Sequence, residues 1–192
     1  MYPFDYPNDV LVRKHGPSGY ANYVSFRPWQ RDEFCFRCVY CLRRELWMAP
    51  SSFQIDHLEA VSVNPEAMTA YDNLFYACPT CNSSKSDAVV PNPGTALVAE
   101  NVRVHIDGRI VGLTIDAQEI IDVLGLDEAD FRAFRRRWIE MAAIIQLNPD
   151  LFRLVFGFPD SLPDLEQRKP PQNSRPDEIG RASCRERVCL AV

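Results

Sequence analysis

The chain has 192 residues, of which 46% are hydrophobic and 24% charged, and its net charge is −5. This length allows one domain or one and a half, and the composition is that of an ordinary globular protein. No apolar run approaches the roughly 20 residues that a membrane span needs. We therefore expect a globular protein without a membrane partner.

The first residues, Met1 to Pro7, contain neither a basic start nor an apolar stretch. A signal peptide is therefore not predicted, and we expect a cytoplasmic, reducing location. In such a compartment, cysteines at metal-binding spacing are metal ligands more often than disulfide partners.

Positive charge is concentrated in one part of this acidic chain. Between Leu11 and Leu46 there are seven cations and three anions: Arg13, Lys14, Arg27, Arg31, Arg37, Arg43 and Arg44 against Asp32, Glu33 and Glu45. A local basic surface can bind phosphates even on an acidic protein. A solvated arginine face would give the same pattern, and charge alone does not separate these two interpretations.

The first third of the chain predicts an arm followed by a short helix and a strand. Residues 1–30 are rich in Tyr, Pro, Asn and Gly without a helical period, so we interpret them as an irregular arm. A short helix is predicted from Arg31 to Phe36. The segment Phe53 to His57 alternates apolar and polar residues as a strand does, and residues 59–72 are predicted to form a loop.

A second helix is predicted after Cys78. Pro79 suits the first position of a helix, where its missing N–H is not needed. A helix that starts there places Asn82 and Lys85 one turn apart on a common face.

The region from residue 91 to residue 158 predicts a hairpin and two helices. Residues 101–114 alternate around an Asp107-Gly108 turn, which indicates a β-hairpin. Asp116 with Glu119 resembles a capping box, and Gly125 would end that helix. The next helix, from Asp127, has an apolar stripe at three- and four-residue spacing, formed by Phe131, Phe134, Trp138, Met141 and Ile145. The run Arg135 to Arg137 beside it is interpreted as a solvated face, with a DNA contact as the less common alternative.

Two C-terminal segments are set apart from the fold. Residues 159–177 are Pro-rich and polar, and we predict that they are disordered. Residues 178–192 resemble the translation of a common sequencing adapter, which indicates read-through rather than natural protein. Cys184 and Cys189 are therefore given no functional role.

Two Cys-x-x-Cys pairs, Cys38/Cys41 and Cys78/Cys81, dominate the middle of the chain. The two-residue spacer lets both thiolates of a pair reach one tetrahedral zinc ion. Four thiolates leave no coordination position for a substrate, so the predicted zinc site is structural. Cys35 lies at the same spacing before Cys38, which makes Cys35/Cys38 a rival pair. The alternative for Cys35 is a small buried hydrophobic residue.

Taken together, the motifs resemble the HNH endonuclease family, most of all those members whose ββα-metal core carries a four-cysteine zinc site. The resemblance covers about residues 31–90. It is specific because several elements occur in a fixed order: Cys38-x-x-Cys41, Asp56-His57, Asn73-Leu74, Cys78-x-x-Cys81-Asn82 and Lys85.

The resemblance implies a role for each matching residue. His57 corresponds to the general base that takes a proton from the attacking water. Asp56 and Asn82 correspond to ligands of a catalytic Mg²⁺ or Mn²⁺ ion, and Asn73 corresponds to a residue that braces the loop behind the base. Four cations are weaker candidates for DNA contacts: Lys85, Arg37, Arg43 and Arg44. Lys85 has two alternatives, a phosphate contact or a solvated lysine.

The chemistry of these side chains agrees with the implied roles. Imidazole titrates near neutrality and can act as a base at working pH, and carboxylate and amide oxygens are hard ligands suited to Mg²⁺ or Mn²⁺. Neighbours on a regular strand point to opposite faces, yet Asp56 and His57 would serve one reaction. We therefore expect the strand to twist or end at this pair.

The predicted fold class is α+β: a small ββα-metal core over residues 31–90 with a four-cysteine zinc knuckle, extended by a hairpin and helices over residues 91–158. The predicted function is metal-dependent hydrolysis of DNA phosphodiester bonds, which by family resemblance leaves a 5′ phosphate and a 3′ hydroxyl. The alternative is a non-catalytic four-cysteine zinc module that binds nucleic acid or protein. Such a module has no need of Asp56, His57 and Asn82.

Overall fold

A computed structural model describes residues 3–49, 52–165 and 168 of the chain. In chain order, the helices and strands are α1 (Arg27–Glu33), β1 (Gln54–His57), β2 (Leu74–Ala77), α2 (Pro79–Lys85), α3 (Pro93–Ala96), β3 (Val102–Val104), β4 (Ile110–Gly112), α4 (Ile115–Val123), α5 (Ala129–Ile145) and α6 (Pro149–Phe156). Helices combine with two separate two-stranded antiparallel sheets. The predicted α+β class is confirmed.

The centre of the molecule is a ββα unit. Strands β1 and β2 pair antiparallel, with Asp56 opposite Phe75 and His57 opposite Leu74. All four residues of β2 are buried, since this strand pairs with β1 and also packs against α1. Helix α2 follows at once with Pro79 in its first turn, as predicted, and it packs against β1.

The C-terminal hairpin is confirmed, and its turn includes Gly108 at a φ of 87°. The predicted capping box at Asp116 is wrong. The α4 N-cap is Thr114, whose hydroxyl oxygen accepts a hydrogen bond from the Ala117 amide at 3.3 Å. A hydroxyl placed directly before the first turn satisfies an amide that the helix itself leaves unpaired.

Arg135 is buried, which corrects its interpretation as part of a solvated face. Only 2% of the residue is exposed. Its guanidinium donates to the backbone carbonyl oxygens of Gly108 and Leu126, each at 2.6 Å. This side chain therefore joins α5 to the hairpin turn and to the segment that follows α4.

The N-terminal segment is part of the core. Phe4 packs edge-on against Trp47 and Phe134. The helix predicted from Arg31 instead begins at Arg27, after a 3₁₀ turn over Tyr23–Phe26 that Asn22 caps. Proline in the first turn of α1 favours this earlier start.

The described part of the segment predicted to be disordered contacts the protein body. Leu165 is buried in a cluster with Phe26, Trp29, Tyr71 and Leu74. The predicted adapter-derived segment, residues 178–192, lies outside the described residues. Within the described ranges, no helix is long and apolar enough to cross a membrane.

Candidate functional site: a four-cysteine cluster beside Asp56, His57 and Asn82

The four predicted zinc ligands meet at one point. The sulfur atoms of Cys38, Cys41, Cys78 and Cys81 all lie within 4.8 Å of one another, and all four residues are buried. The Cys41 and Cys78 sulfurs are 3.7 Å apart. Sulfurs placed 2.3 Å from a tetrahedral zinc ion would be separated by about 3.8 Å. The cluster therefore has the size and the ligands of a structural zinc site, and Cys35 is not in it.

Backbone geometry at each pair explains how the sulfurs converge. Leu42 has a φ of 56°, which turns the chain sharply after Cys41. The Leu42 amide donates to the Cys38 carbonyl oxygen at 3.0 Å, and the Cys38 amide donates to the backbone carbonyl oxygen of Arg43 at 2.9 Å. Leucine rarely adopts this left-handed conformation. The second pair lies at the junction of β2 and α2, so the same helix start that carries Cys81 also places Asn82.

A cation at the cluster would compensate for the burial of its thiolates. Burial raises the pKa of the Cys38 thiol well above its usual range, because a thiolate loses its solvation inside the protein. A bound divalent ion removes this penalty, since it stabilises the thiolate form directly. The donor set and its burial therefore fit zinc.

His57 is the last residue of β1 and is half-buried. Its Nε2 atom lies 3.0 Å from the backbone carbonyl oxygen of Met68, in the loop between the two strands. The Tyr23 ring meets the imidazole in an edge-to-face arrangement, with ring centroids 4.7 Å apart. Among the described residues, Nδ1 has no hydrogen-bond partner. Within the described part of the chain, the ring is thus held at Nε2, and Nδ1 has no partner.

Asp56 lies on the opposite face of β1 and is 4% exposed. The Tyr40 hydroxyl donates to Oδ2 at 2.5 Å, and the Lys85 ammonium lies 3.3 Å from Oδ1. Burial raises the pKa of this carboxyl group, whereas Lys85 and Tyr40 act in the opposite direction by stabilising the carboxylate. Each oxygen keeps a further lone pair for another ligand.

Asn82 and Lys85 both face β1 from α2, as the predicted spacing requires. The Asn82 amide nitrogen donates to Gln54 Oε1 at 2.6 Å, which leaves its amide oxygen without a donor among the described residues. Gln54 and Asp56 alternate with Ile55 and so share one face of the strand. Asp56 and Asn82 therefore belong to the side of β1 that α2 covers.

Lys85 fits neither of the two interpretations that the sequence suggests, a phosphate contact or a solvated lysine, because its side chain is 0% exposed. Its ammonium donates to the His57 carbonyl oxygen at 2.7 Å as well as contacting Asp56. A surface phosphate contact and a solvated lysine both require exposure. The structure corrects this prediction, since Lys85 is a buried partner of the strand that carries Asp56 and His57.

Strand β1 ends at His57, in agreement with the expectation for this pair, but the two side chains diverge. Asp56 is directed towards Tyr40 and α2, and His57 towards Tyr23 and the loop. Within the described ranges, no hydrogen bond, ion pair or ring contact joins any one residue to both of these side chains. Lys85 connects the two residues, because its ammonium contacts the Asp56 carboxylate and the backbone carbonyl oxygen of His57.

Asn73 lies behind this strand end and braces the interstrand loop. Its amide oxygen accepts from the Glu59 amide at 2.8 Å. Its amide nitrogen donates to the carbonyl oxygens of Glu59 at 3.1 Å and Ala67 at 3.2 Å. Because Met68 directly follows Ala67, these bonds also fix the carbonyl that holds His57.

The arginines suggested as DNA contacts differ in exposure. Arg37 and Arg43 are half-buried, and the Arg43 guanidinium lies 4.2 Å from the centre of the Phe134 ring. Arg44 is only 8% exposed, and burial lowers its pKa to about 9, with Arg37 adding to the effect. Arg44 is therefore a core residue, which corrects its prediction as a surface contact. For Arg37 and Arg43, DNA contact stays a prediction.

Sequence reasoning missed three residues that contact the site. Tyr40 stands between the first two zinc ligands, and Gln54 lies two residues before Asp56 on the same strand face, so spacing could have indicated both. Tyr23 is remote in sequence from His57, and no local pattern marks it.

Comparison with known proteins agrees with this geometry. Residues 38–88 match the model of the family described as HNH endonuclease. The matched range contains all four cysteines of the cluster together with Asp56, His57, Asn73 and Asn82. A search of curated proteins finds no match to the chain.

Proposed function

We propose that the protein is a metal-dependent endonuclease that hydrolyses phosphodiester bonds of DNA, because residues 38–88 match the HNH endonuclease family model. His57 is the general base in this proposal, and Asp56 and Asn82 hold the catalytic divalent cation. The four cysteines hold a structural zinc ion that fixes the start of α2. The products carry a 5′ phosphate and a 3′ hydroxyl.

One observation carries the proposal, namely the contact between His57 Nε2 and the Met68 carbonyl oxygen at 3.0 Å. A carbonyl oxygen can only accept, so Nε2 must carry the hydrogen. In the neutral ring, Nδ1 is then the basic nitrogen, and it has no partner among the described residues. This tautomer suits a general base that removes a proton from water at Nδ1.

The side-chain oxygens of Asp56 and Asn82 are of the chemical type that binds a hard divalent cation. Asp56 offers carboxylate lone pairs and Asn82 an amide oxygen, and few protein ligands leave positions for water and a phosphate oxygen. When bound, Mg²⁺ or Mn²⁺ would stabilise negative charge on the phosphoryl group. Lys85 already supplies one positive charge at 3.3 Å from Asp56, so the cation would share this carboxylate with the ammonium.

The opposite orientation of Asp56 and His57 favours a second candidate function. A four-cysteine zinc module that binds nucleic acid or protein without cutting it does not require these side chains to converge. In such a module, the contact of Asp56 with Tyr40 and Lys85 would serve stability alone.

Supercoiled plasmid incubated with the zinc-loaded protein separates the two functions. The nuclease converts the plasmid into open-circular or linear DNA when Mg²⁺ or Mn²⁺ is added, and leaves it intact when neither ion is present. A protein that only retards the mobility of intact plasmid under every condition is the binding module, and the nuclease proposal would then be wrong.

A further inference from the structure

The Tyr23 ring contacts the imidazole of the proposed general base, although Tyr23 lies outside the matched range of residues 38–88. The two ring centroids are 4.7 Å apart and the planes are inclined by 73°. This arrangement is a favourable edge-to-face contact between aromatic rings. Tyr23 is half-buried and its hydroxyl has no hydrogen-bond partner within the described ranges, so the contact to His57 is made by the ring.

Tyr23 is held rigidly by its own segment. The side chain of Asn22 caps the 3₁₀ turn by accepting from the Val24 amide at 2.9 Å. At the end of the turn, Phe26 is 1% exposed and packs on Tyr71 with ring centroids 5.8 Å apart. The turn continues directly into α1, which packs against β1 and β2. The ring of Tyr23 is therefore presented to His57 from a fixed backbone.

A rigid neighbour matters because the hydrogen bond from Nε2 constrains only one edge of the imidazole. The ring can still swing about its side-chain torsions unless a second surface limits it. Within the described ranges, Tyr23 is the one aromatic residue in ring contact with His57. Small displacements of a catalytic group lower the rate strongly, since the reaction depends on its alignment.

We propose that Tyr23 is a positioning residue, whose aromatic ring holds the His57 imidazole on the Met68 carbonyl so that Nδ1 faces the attacking water. The proposal rests on the proposed nuclease function. It assigns a part of the catalytic arrangement to the N-terminal segment, outside the matched domain. The ring performs this role and the hydroxyl does not.

Three variants test the proposal in the full zinc-loaded protein. Tyr23→Leu removes the ring, and we expect kcat for plasmid nicking to fall by about 10- to 100-fold with little change in KM, because alignment and not DNA binding is lost. Tyr23→Phe keeps the ring and recovers most of the rate. Val24→Ala is the matched control. Val24 belongs to the same 3₁₀ turn as Tyr23, and its side chain is exposed and directed away from the core, so this variant keeps the wild-type kcat.

A second measurement does not depend on activity. In wild-type protein, ¹⁵N-resolved NMR of His57 shows the tautomer with hydrogen on Nε2 and a ring-current shift from Tyr23. Tyr23→Leu removes that shift and mixes the two tautomers, whereas Val24→Ala leaves both signals unchanged. An unchanged tautomer in Tyr23→Leu overturns the inference even if no nuclease activity is found.

The outcomes also separate this inference from the proposed function. Wild-type protein that never cuts DNA contradicts the nuclease. Wild-type protein that cuts DNA while Tyr23→Leu cuts equally fast contradicts only the positioning role. The role is also contradicted if Tyr23→Phe is as slow as Tyr23→Leu, or if Val24→Ala is as slow as either.

Discussion

The Lys85 ammonium lies 3.3 Å from the Asp56 carboxylate, and the two side chains are 0% and 5% exposed. Lys85 also donates to the His57 carbonyl oxygen at 2.7 Å. This pair therefore joins the end of α2 to the end of β1, where the candidate base is located. The Lys85 ammonium and the Tyr40 hydroxyl offset part of the solvation that the buried carboxylate loses.

Lys85→Met should destabilise the protein strongly. The substitution keeps most of the side-chain volume but leaves Asp56 buried beside no cation, which costs about 3–5 kcal/mol of unfolding free energy. Urea denaturation followed by circular dichroism measures this loss. Lys14 is exposed, so Lys14→Met is the control and should change the unfolding free energy by no more than about 0.5 kcal/mol. Equal stability of the two variants would mean that the buried pair contributes nothing to the free energy of unfolding.

Zinc content should depend on the four clustered cysteines and not on Cys35. Cys78→Ser removes one of four ligands, so the purified protein should contain less than one zinc per chain and its ββα unit should lose structure. Cys35→Ser should retain one zinc per chain, because Cys35 is outside the cluster. Metal analysis with far-UV circular dichroism measures both effects. Loss of zinc in Cys35→Ser, with retention in Cys41→Ser, would restore the rival pair.

Asn73→Ala should loosen the loop between β1 and β2. The change removes three hydrogen bonds to Glu59 and Ala67 and leaves partly buried backbone groups unpaired, at a cost of about 1–3 kcal/mol. Hydrogen exchange of the amides in residues 58–70 should therefore accelerate. Asn148→Ala, which removes the cap of α6, should not change exchange in this loop. The bracing role would be wrong if both variants left the loop equally protected.

The sequence predicted those parts of the structure that local chemistry determines. The four-cysteine cluster follows from ligand spacing, the α2 start from Pro79, and the β3–β4 hairpin from alternation around Asp107-Gly108. Each of these patterns is contained in a few consecutive residues or in a repeated spacing, so the sequence displays it directly.

The features that the sequence could not indicate depend on packing between residues that are distant in the chain. Arg135 belongs to a run of three arginines, and its burial depends on the carbonyl oxygens of Gly108 and Leu126, which only the folded chain brings to it. Lys85 is buried because α2 packs on the strand that carries Asp56. Tyr23 reaches His57 only because α1 packs on the ββα unit. Propensity and spacing carry no information about such partners.

The cutting of DNA by wild-type protein and by His57→Ala, both containing one zinc per chain, tests the central claim most directly. His105 lies in the turn of the C-terminal hairpin, and His105→Ala is the matched histidine control. In the presence of Mg²⁺ or Mn²⁺, wild type and His105→Ala should nick supercoiled plasmid at the same rate, and His57→Ala should be slower by about 100-fold or more. Equal nicking by His57→Ala and wild type would contradict the assignment of His57 as the catalytic base.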